Sequence, residues 1–176
     1  MKSLVVYESM FGNTEEVARA VAEGVGATMD VSLHEVSTAP APITDLVDLV
    51  VVGGPTHAFS LSRPSTRADA IEKGATQGEA DTGLREWIGH LRKGPHSECV
   101  AAFDTRVDRV RRLPGSAARK AVKLLRGDGY TSVGTESFYV SDVSGPLLPG
   151  ETERAAAWGR RLGEDMGARA HGRPVV

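Results

Sequence analysis

Ser9, Gly12, Asn13 and Thr14 fall within one six-residue stretch, SMFGNT (9–14), between two unlike segments. Before it runs LVVY (4–7), apolar and β-branched; after it Val17, Ala20, Val21 and Gly24 recur at helical spacing. A strand that ends in such a loop and hands over to a helix brings unpaired backbone N–H groups and the positive end of the helix dipole to one point, which suits an anion. Ser9 and Thr14 add hydroxyl donors and Asn13 an amide, while Gly12 lets the backbone turn closely around a bound group. No Lys or Arg lies in the loop. A phosphate held there rests on neutral donors and belongs to a larger ligand whose other contacts add affinity. The ligand-free alternative is a tight connection capped by Asn13 with Glu16, which leaves Ser9 and Gly12 without a role.

Other chemistries fail on residue type or spacing. A G-x-S-x-G nucleophile elbow would need glycines where Tyr7 and Phe11 stand. A cysteine-phosphatase loop fails because one residue too many separates Cys99 from Arg106, and Cys99 opens a strand. Neither G-x-x-x-x-G-K-[ST] nor G-x-G-x-x-G occurs in a strand–helix context, and there is no His-Glu-x-x-His. Cys99 is the single cysteine, so no intramolecular disulfide and no cysteine-built zinc site is expected. No catalytic acid or base and no metal ligand is assigned.

The elements that must position the loop follow from the alternation of apolar runs and amphipathic stretches. TMDVSLHEV (28–36) alternates as a half-buried or edge-side strand does. LVDLVVVGG (46–54) is nearly continuous and β-branched, as a parallel strand buried on both faces is. GGPTHAFSLSRPSTR (53–67) reads as a long polar loop. Leu84, Trp87, Ile88 and Leu91 share one helical stripe, which Gly94-Pro95 ends. ECVAAFD (98–104) is a strand with a polar exit. Ala118, Ala121, Val122 and Leu125 mark a helix with Ser116 as N-cap and Gly127 as stop. ESFYVSDV (136–143) is a fifth strand, and Ala155, Trp158, Leu162 and Met166 form the buried side of a last helix. Such alternation predicts an α/β fold, a five-stranded parallel sheet with helices on both faces. Ligands then bind outside the carboxyl ends of the strands, so the loops of interest are 9–14, 55–67 and 104–113.

The chain has 176 residues, which fits one domain spanning residues 1–176, since domains most often run to roughly 100–150 residues and some to about 250. Apolar residues make up 40% and charged residues 25%, ordinary for a globular protein. No apolar run approaches the ~20 residues a membrane span needs, and the run that Glu8 ends is too short for a signal peptide. A cytoplasmic protein with no membrane or nucleic-acid partner is expected. The net charge is −2, unevenly spread: residues 1–62 balance at −6 and residues 106–126 at +7. The basic segment is either a docking face or a solvated helix face.

SMFGNT resembles the FMN phosphate loop of flavodoxins, matching at Ser9, Gly12, Asn13 and Thr14 and departing at Phe11, where many flavodoxins carry Thr. VVGGPTH is similar to the second flavodoxin loop and AAFDT to the third. The resemblance implies a flavodoxin-like three-layer sandwich with strand order 2-1-3-4-5, binding FMN. Its phosphate would lie on Ser9, Met10, Phe11, Gly12, Asn13 and Thr14. Pro55, Thr56, His57, Ala58 and Phe59 would line one side of the flavin ring, with His57 or Phe59 stacked on it, and Phe103, Asp104, Thr105 and Arg106 would sit by its pyrimidine end. Flavodoxins are strongly acidic, whereas Arg63, Arg67, Arg106, Arg109, Arg111 and Arg112 surround these loops. Cations there stabilise a reduced flavin or recruit an anionic partner. The resemblance thus implies an electron-transfer protein, monomeric or weakly dimeric, serving a redox partner protein. The alternative is an FMN-dependent NAD(P)H:quinone-type oxidoreductase acting on a small molecule.

Overall fold

The computed structural model describes residues 1–43 and 46–172. The strands are β1 (Lys2–Tyr7), β2 (Asp30–Glu35), β3 (Leu49–His57), β4 (Ser60–Leu61), β5 (Cys99–Val107) and β6 (Thr131–Val140). The helices are α1 (Asn13–Gly26), α2 (Pro64–Glu72), α3 (Leu84–Gly89), α4 (Ala117–Gly127) and α5 (Glu151–Ala170), with a single 3-10 turn at Asp108–Val110. Five strands run parallel in the order β2-β1-β3-β5-β6, and β4 pairs antiparallel with the end of β3. The expected parallel order therefore holds, and the sheet has a sixth, two-residue strand that the sequence reading lacked.

That strand lies inside 55–67, which is not a loop throughout. β3 continues to His57, turns at Ala58–Phe59, returns as β4 and enters α2 at Pro64. The turn is hidden in the sequence because it has no Asn-Gly or Asp-Gly, the residues that favour the two positive φ angles of a two-residue hairpin; Ala58 and Phe59 adopt φ 46° and 61°. PSTRADAIE carries no apolar stripe, although Pro64 at the first helical position is a start signal. β6 begins at Thr131 rather than 136. It pairs only with β5 among the parallel strands, so its first half is partly solvated and lacks the apolar continuity of an inner strand.

Alternation along the strands divides the core in two. Leu4, Val6, Val50, Val52, Val100 and Ala102 face α3 and α4, meeting Trp87, Ile88, Ala121 and Leu125. Val5, Leu49, Val51, Ala101 and Phe103 face α1 and α5, meeting Val17, Val21, Trp158 and Leu162. Phe103, Phe138 and Trp158 pack edge to face with centroids 6.1–6.2 Å apart, the arrangement aromatic quadrupoles favour. α1 and α5 touch backbone to backbone. A Cβ at Gly24 would run into the Ala156 carbonyl and one at Gly159 into the Val21 carbonyl, so the glycines permit the approach. No helix among the described residues is long and apolar enough to cross a membrane.

Candidate functional site

The carboxyl ends of β1, β3, β5 and β6 converge on a cleft. It is lined by Met10, Phe11, Asn13 and Thr14 from the first loop, Pro55, Thr56 and His57 from β3, Thr105, Arg106 and Val107 from β5, and Val140 and Val143 at the end of β6. The cavity holds about 70 Å³. A neighbouring one of about 230 Å³ shares Phe11, Thr56, His57 and Val143 with it and adds Ala58, Thr66, Asp69, Ala70 and Lys73.

The first loop opens α1 with free backbone donors, an arrangement that suits an anion. Gly12 is the N-cap of α1, in the left-handed region at φ 89°, and no side chain caps the helix. Its N–H donates to Ser9 Oγ at 3.1 Å. The N–H groups of Asn13, Thr14 and Glu15 find no acceptor among the described residues, the usual condition of a helix start awaiting a partner. The Asn13 amide donates to the Ser144 carbonyl at 3.1 Å and caps nothing, so the Asn13–Glu16 capping alternative fails. Thr14 Oγ1 lies 2.7 Å from Thr105 Oγ1, tying the start of α1 to the end of β5. From the outer side, the N–H groups of Thr76 and Gln77 both donate to the Met10 carbonyl at 3.1 Å.

Beneath the loop lies a buried ionic network. Glu8, 1% exposed, accepts the Leu84 N–H on Oε2 at 2.9 Å. Arg67 is completely buried, donates to the Ala80 carbonyl at 2.7 Å and Ser62 Oγ at 2.8 Å, and pairs with Glu86 at 2.9 Å. Burial is the main cause pushing the Glu8 carboxyl above its ordinary range, because the charged form loses hydration. Burial likewise pushes the His57 imidazole below its ordinary value, favouring the neutral ring.

Several residues expected at the site lie elsewhere. Phe103 is 1% exposed and packed on Phe138 and Trp158, on the α1/α5 side of the sheet, and does not reach the cleft. Asp104 is fully buried and accepts the Ala118 N–H on Oδ2 at 2.9 Å, so it serves the start of α4. Phe59 is 46% exposed and lines neither cavity; its carbonyl and Cβ face Gly115 instead. Ala58 lines only the second cavity. Ser9 and Gly12 shape the loop from behind its lining face. The surrounding arginines separate too. Arg67 is interior, while Arg109 and Arg111 form exposed pairs with Asp142 at 3.3 Å and Asp108 at 3.2 Å, of a kind worth little. Arg106 alone of the group lines the cleft. Val140 and Val143 were not foreseen because only the loops after the first, third and fourth strands were inspected; Val107 lies in the inspected 104–113, but an apolar residue there carried no chemical signal. Thr66 was hidden by reading 53–67 as loop, and Asp69 and Lys73 fell in a stretch to which the sequence reading assigned no element.

The fold and cleft define a doubly wound α/β protein with free N–H groups at the start of its first helix, at the switch point where parallel sheets bind ligands. The sequence model of the flavodoxin family matches residues 5–83. No curated protein matches the chain. Among solved structures, a flavodoxin from the domain Archaea aligns with TM-score 0.63 and 18% identity over 95% of this chain and 99% of that one. The flavodoxin of Streptococcus pneumoniae TIGR4 aligns with TM-score 0.61 and 16% identity over 96% and 99%. A flavone reductase aligns with TM-score 0.59 and 14% identity over 99% of this chain and 66% of its own.

FMN is the cofactor of the family, and the residues present fit it. Three free N–H groups and the Thr14 hydroxyl suit its phosphate. The two adjoining cavities offer a concave, partly apolar site of the kind small molecules occupy. Arg106, whose buried Nε has no partner among the described residues, also lines the site.

Proposed function

We propose that this protein binds FMN non-covalently and acts in electron transfer, exchanging electrons with a redox partner protein. The observation that carries the reading is the first loop: free N–H groups at the start of α1, a left-handed Gly12, and Thr14 joined to Thr105. Bound FMN supplies the redox chemistry, and the chain contributes binding, orientation and electrostatics. The loop N–H groups and the Thr14 hydroxyl hold the phosphate. Thr56, His57, Thr105 and Arg106 line the path of the rest of the ligand, with Phe11 and Val143 at the junction of the cavities to exclude water. The neutral His57 keeps one further positive charge out of the cleft.

A second reading, an FMN-dependent NAD(P)H:quinone-type oxidoreductase, draws on the second cavity, where Lys73 and Asp69 stand beside the apolar Phe11 and Ala70. The deciding experiment is titration of the purified protein with FMN, followed by anaerobic NADPH. Flavin that binds but bleaches only when a separate reductase is added supports the carrier. Bleaching by NADPH alone supports the oxidoreductase. Failure to bind FMN refutes both.

A further inference from the structure

We propose that Arg106 sets the relative affinity of the cleft for reduced and oxidised flavin, by holding a buried guanidinium against the negative charge the ring gains on reduction. The proposal rests on the reading of the cleft as an FMN site. Arg106 is 7% exposed and lines the cavity. Its Nη2 donates to the carbonyls of Val110 at 2.7 Å and Leu113 at 3.2 Å, which anchors the group on neutral acceptors. Its Nε–H is buried and has no partner among the described residues, and no carboxylate forms an ion pair with it there. A buried charged donor left unmatched is costly, and a ligand acceptor in the cleft is what would match it.

Strand geometry separates this donor from the phosphate cradle. Thr105 reaches across to Thr14 at the start of α1. The next residue on β5 points to the opposite face of the sheet, where Val110 and Leu113 hold it. Arg106 therefore meets a part of the ligand other than the phosphate. Asp104, on the same face, is committed to the Ala118 N–H, and the exposed Arg109 and Arg111 of the neighbouring turn are paired with Asp142 and Asp108. Reduction adds two electrons and one proton to oxidised FMN and leaves one negative charge on the ring. The electrons come from the redox partner in use and from dithionite in the test. In a site shielded from water, a cation favours that product over the neutral oxidised ring.

The test compares wild type with Arg106→Gln, Arg106→Lys and the exposed-site control Arg111→Gln. Kd is measured for oxidised FMN and for riboflavin, and the two-electron midpoint potential is measured by dithionite titration. Arg106→Gln is expected to lower the ratio of reduced to oxidised affinity by at least tenfold, which makes the midpoint about 30 mV more negative. Arg106→Lys is expected to keep most of the ratio and Arg111→Gln all of it. Arg106→Met, which keeps the apolar stem, gives the same readout should the glutamine variant fail to fold. An unchanged ratio, or an equal loss with lysine, overturns the proposal while leaving FMN binding intact. Equal weakening of both redox states with riboflavin binding unaffected assigns Arg106 to the phosphate and also overturns it. A wild type that binds no FMN removes both this proposal and the reading beneath it.

Discussion

Replacing Ala58 by glycine should stabilise the protein, against the usual direction of such a change. Ala58 and Phe59 form the two-residue turn between β3 and β4, framed by the pairs Thr56↔Leu61 and His57↔Ser60, with φ 46° and 61°. An L-residue held in the left-handed region costs roughly 1–2 kcal/mol. Glycine removes that strain but adds roughly 0.5–1 kcal/mol of backbone entropy to be lost on folding. Ala58 is exposed, so its methyl group contributes little burial. The balance is a gain of about 0.5–1 kcal/mol, which for a chain of this size raises Tm by roughly 2–4 °C per kcal/mol. Phe59→Gly makes the internal comparison. The Phe59 side chain is 46% exposed, so its removal forfeits about half of the roughly 1.5–3 kcal/mol that full burial of a phenylalanine brings, and the net change falls near zero. Urea unfolding followed by tryptophan fluorescence and far-UV circular dichroism reads both variants, with an unchanged m-value required. Because Phe59 lines neither cavity, its replacement should leave Kd for FMN within about twofold, under roughly 0.5 kcal/mol. A destabilised Ala58→Gly would show that contacts of the turn offset its backbone strain and would refute the reasoning.

Glu8→Gln should reveal the buried carboxyl through pH. A folded-state pKa raised above the unfolded value gives stability that is complete below the unfolded carboxyl range and is lost as pH rises through the folded value. The variant should therefore gain on wild type as pH rises above the ordinary glutamate range near about 4, because burial raises the Glu8 pKa; a difference between the urea midpoints that does not change with pH would refute this. Gly53→Ala drives a Cβ into the Phe103 ring, which Phe138 and Trp158 hold in place. Overpacking of this kind typically costs about 1–3 kcal/mol, and a loss near the upper end is expected in chemical denaturation; a neutral result would show that the aromatic cluster yields.

The parallel sheet was legible because the inner strands are buried on both faces and read as continuous β-branched runs, whereas its order came from the flavodoxin resemblance. The strand–helix junction was legible because Gly12, Ser9 and Thr14 declare it by their types alone. What escaped depended on direction. Phe103 and Asp104 close the stretch 98–104 read as a strand with a polar exit, yet β5 continues to Val107, and alternation sends one into the aromatic cluster and the other to the start of α4. The six arginines looked alike in sequence. Only their partners, a carbonyl pair for Arg106, Glu86 for Arg67, and exposed carboxylates for Arg109 and Arg111, tell the one in the cleft from the rest. The Ala58–Phe59 turn escaped because tertiary context imposes on it a backbone shape its residues do not favour.

The close seating of α1 on α5 reaches further than the core it completes. Carbonyls of each helix rest in notches left by Gly24 and Gly159, so neither helix can slide or roll along the other without a collision of main chains. The mouth of the cradle is the first turn of α1, and its position is thus indexed by residues at the far end of that helix and by a helix that never touches the cleft. A mutational scan scored only on flavin retention would recover positions 24 and 159 among its sensitive sites, far from any ligand atom. Grafting the Ser9–Thr14 loop onto another strand–helix junction would transplant the donors without the alignment that aims them.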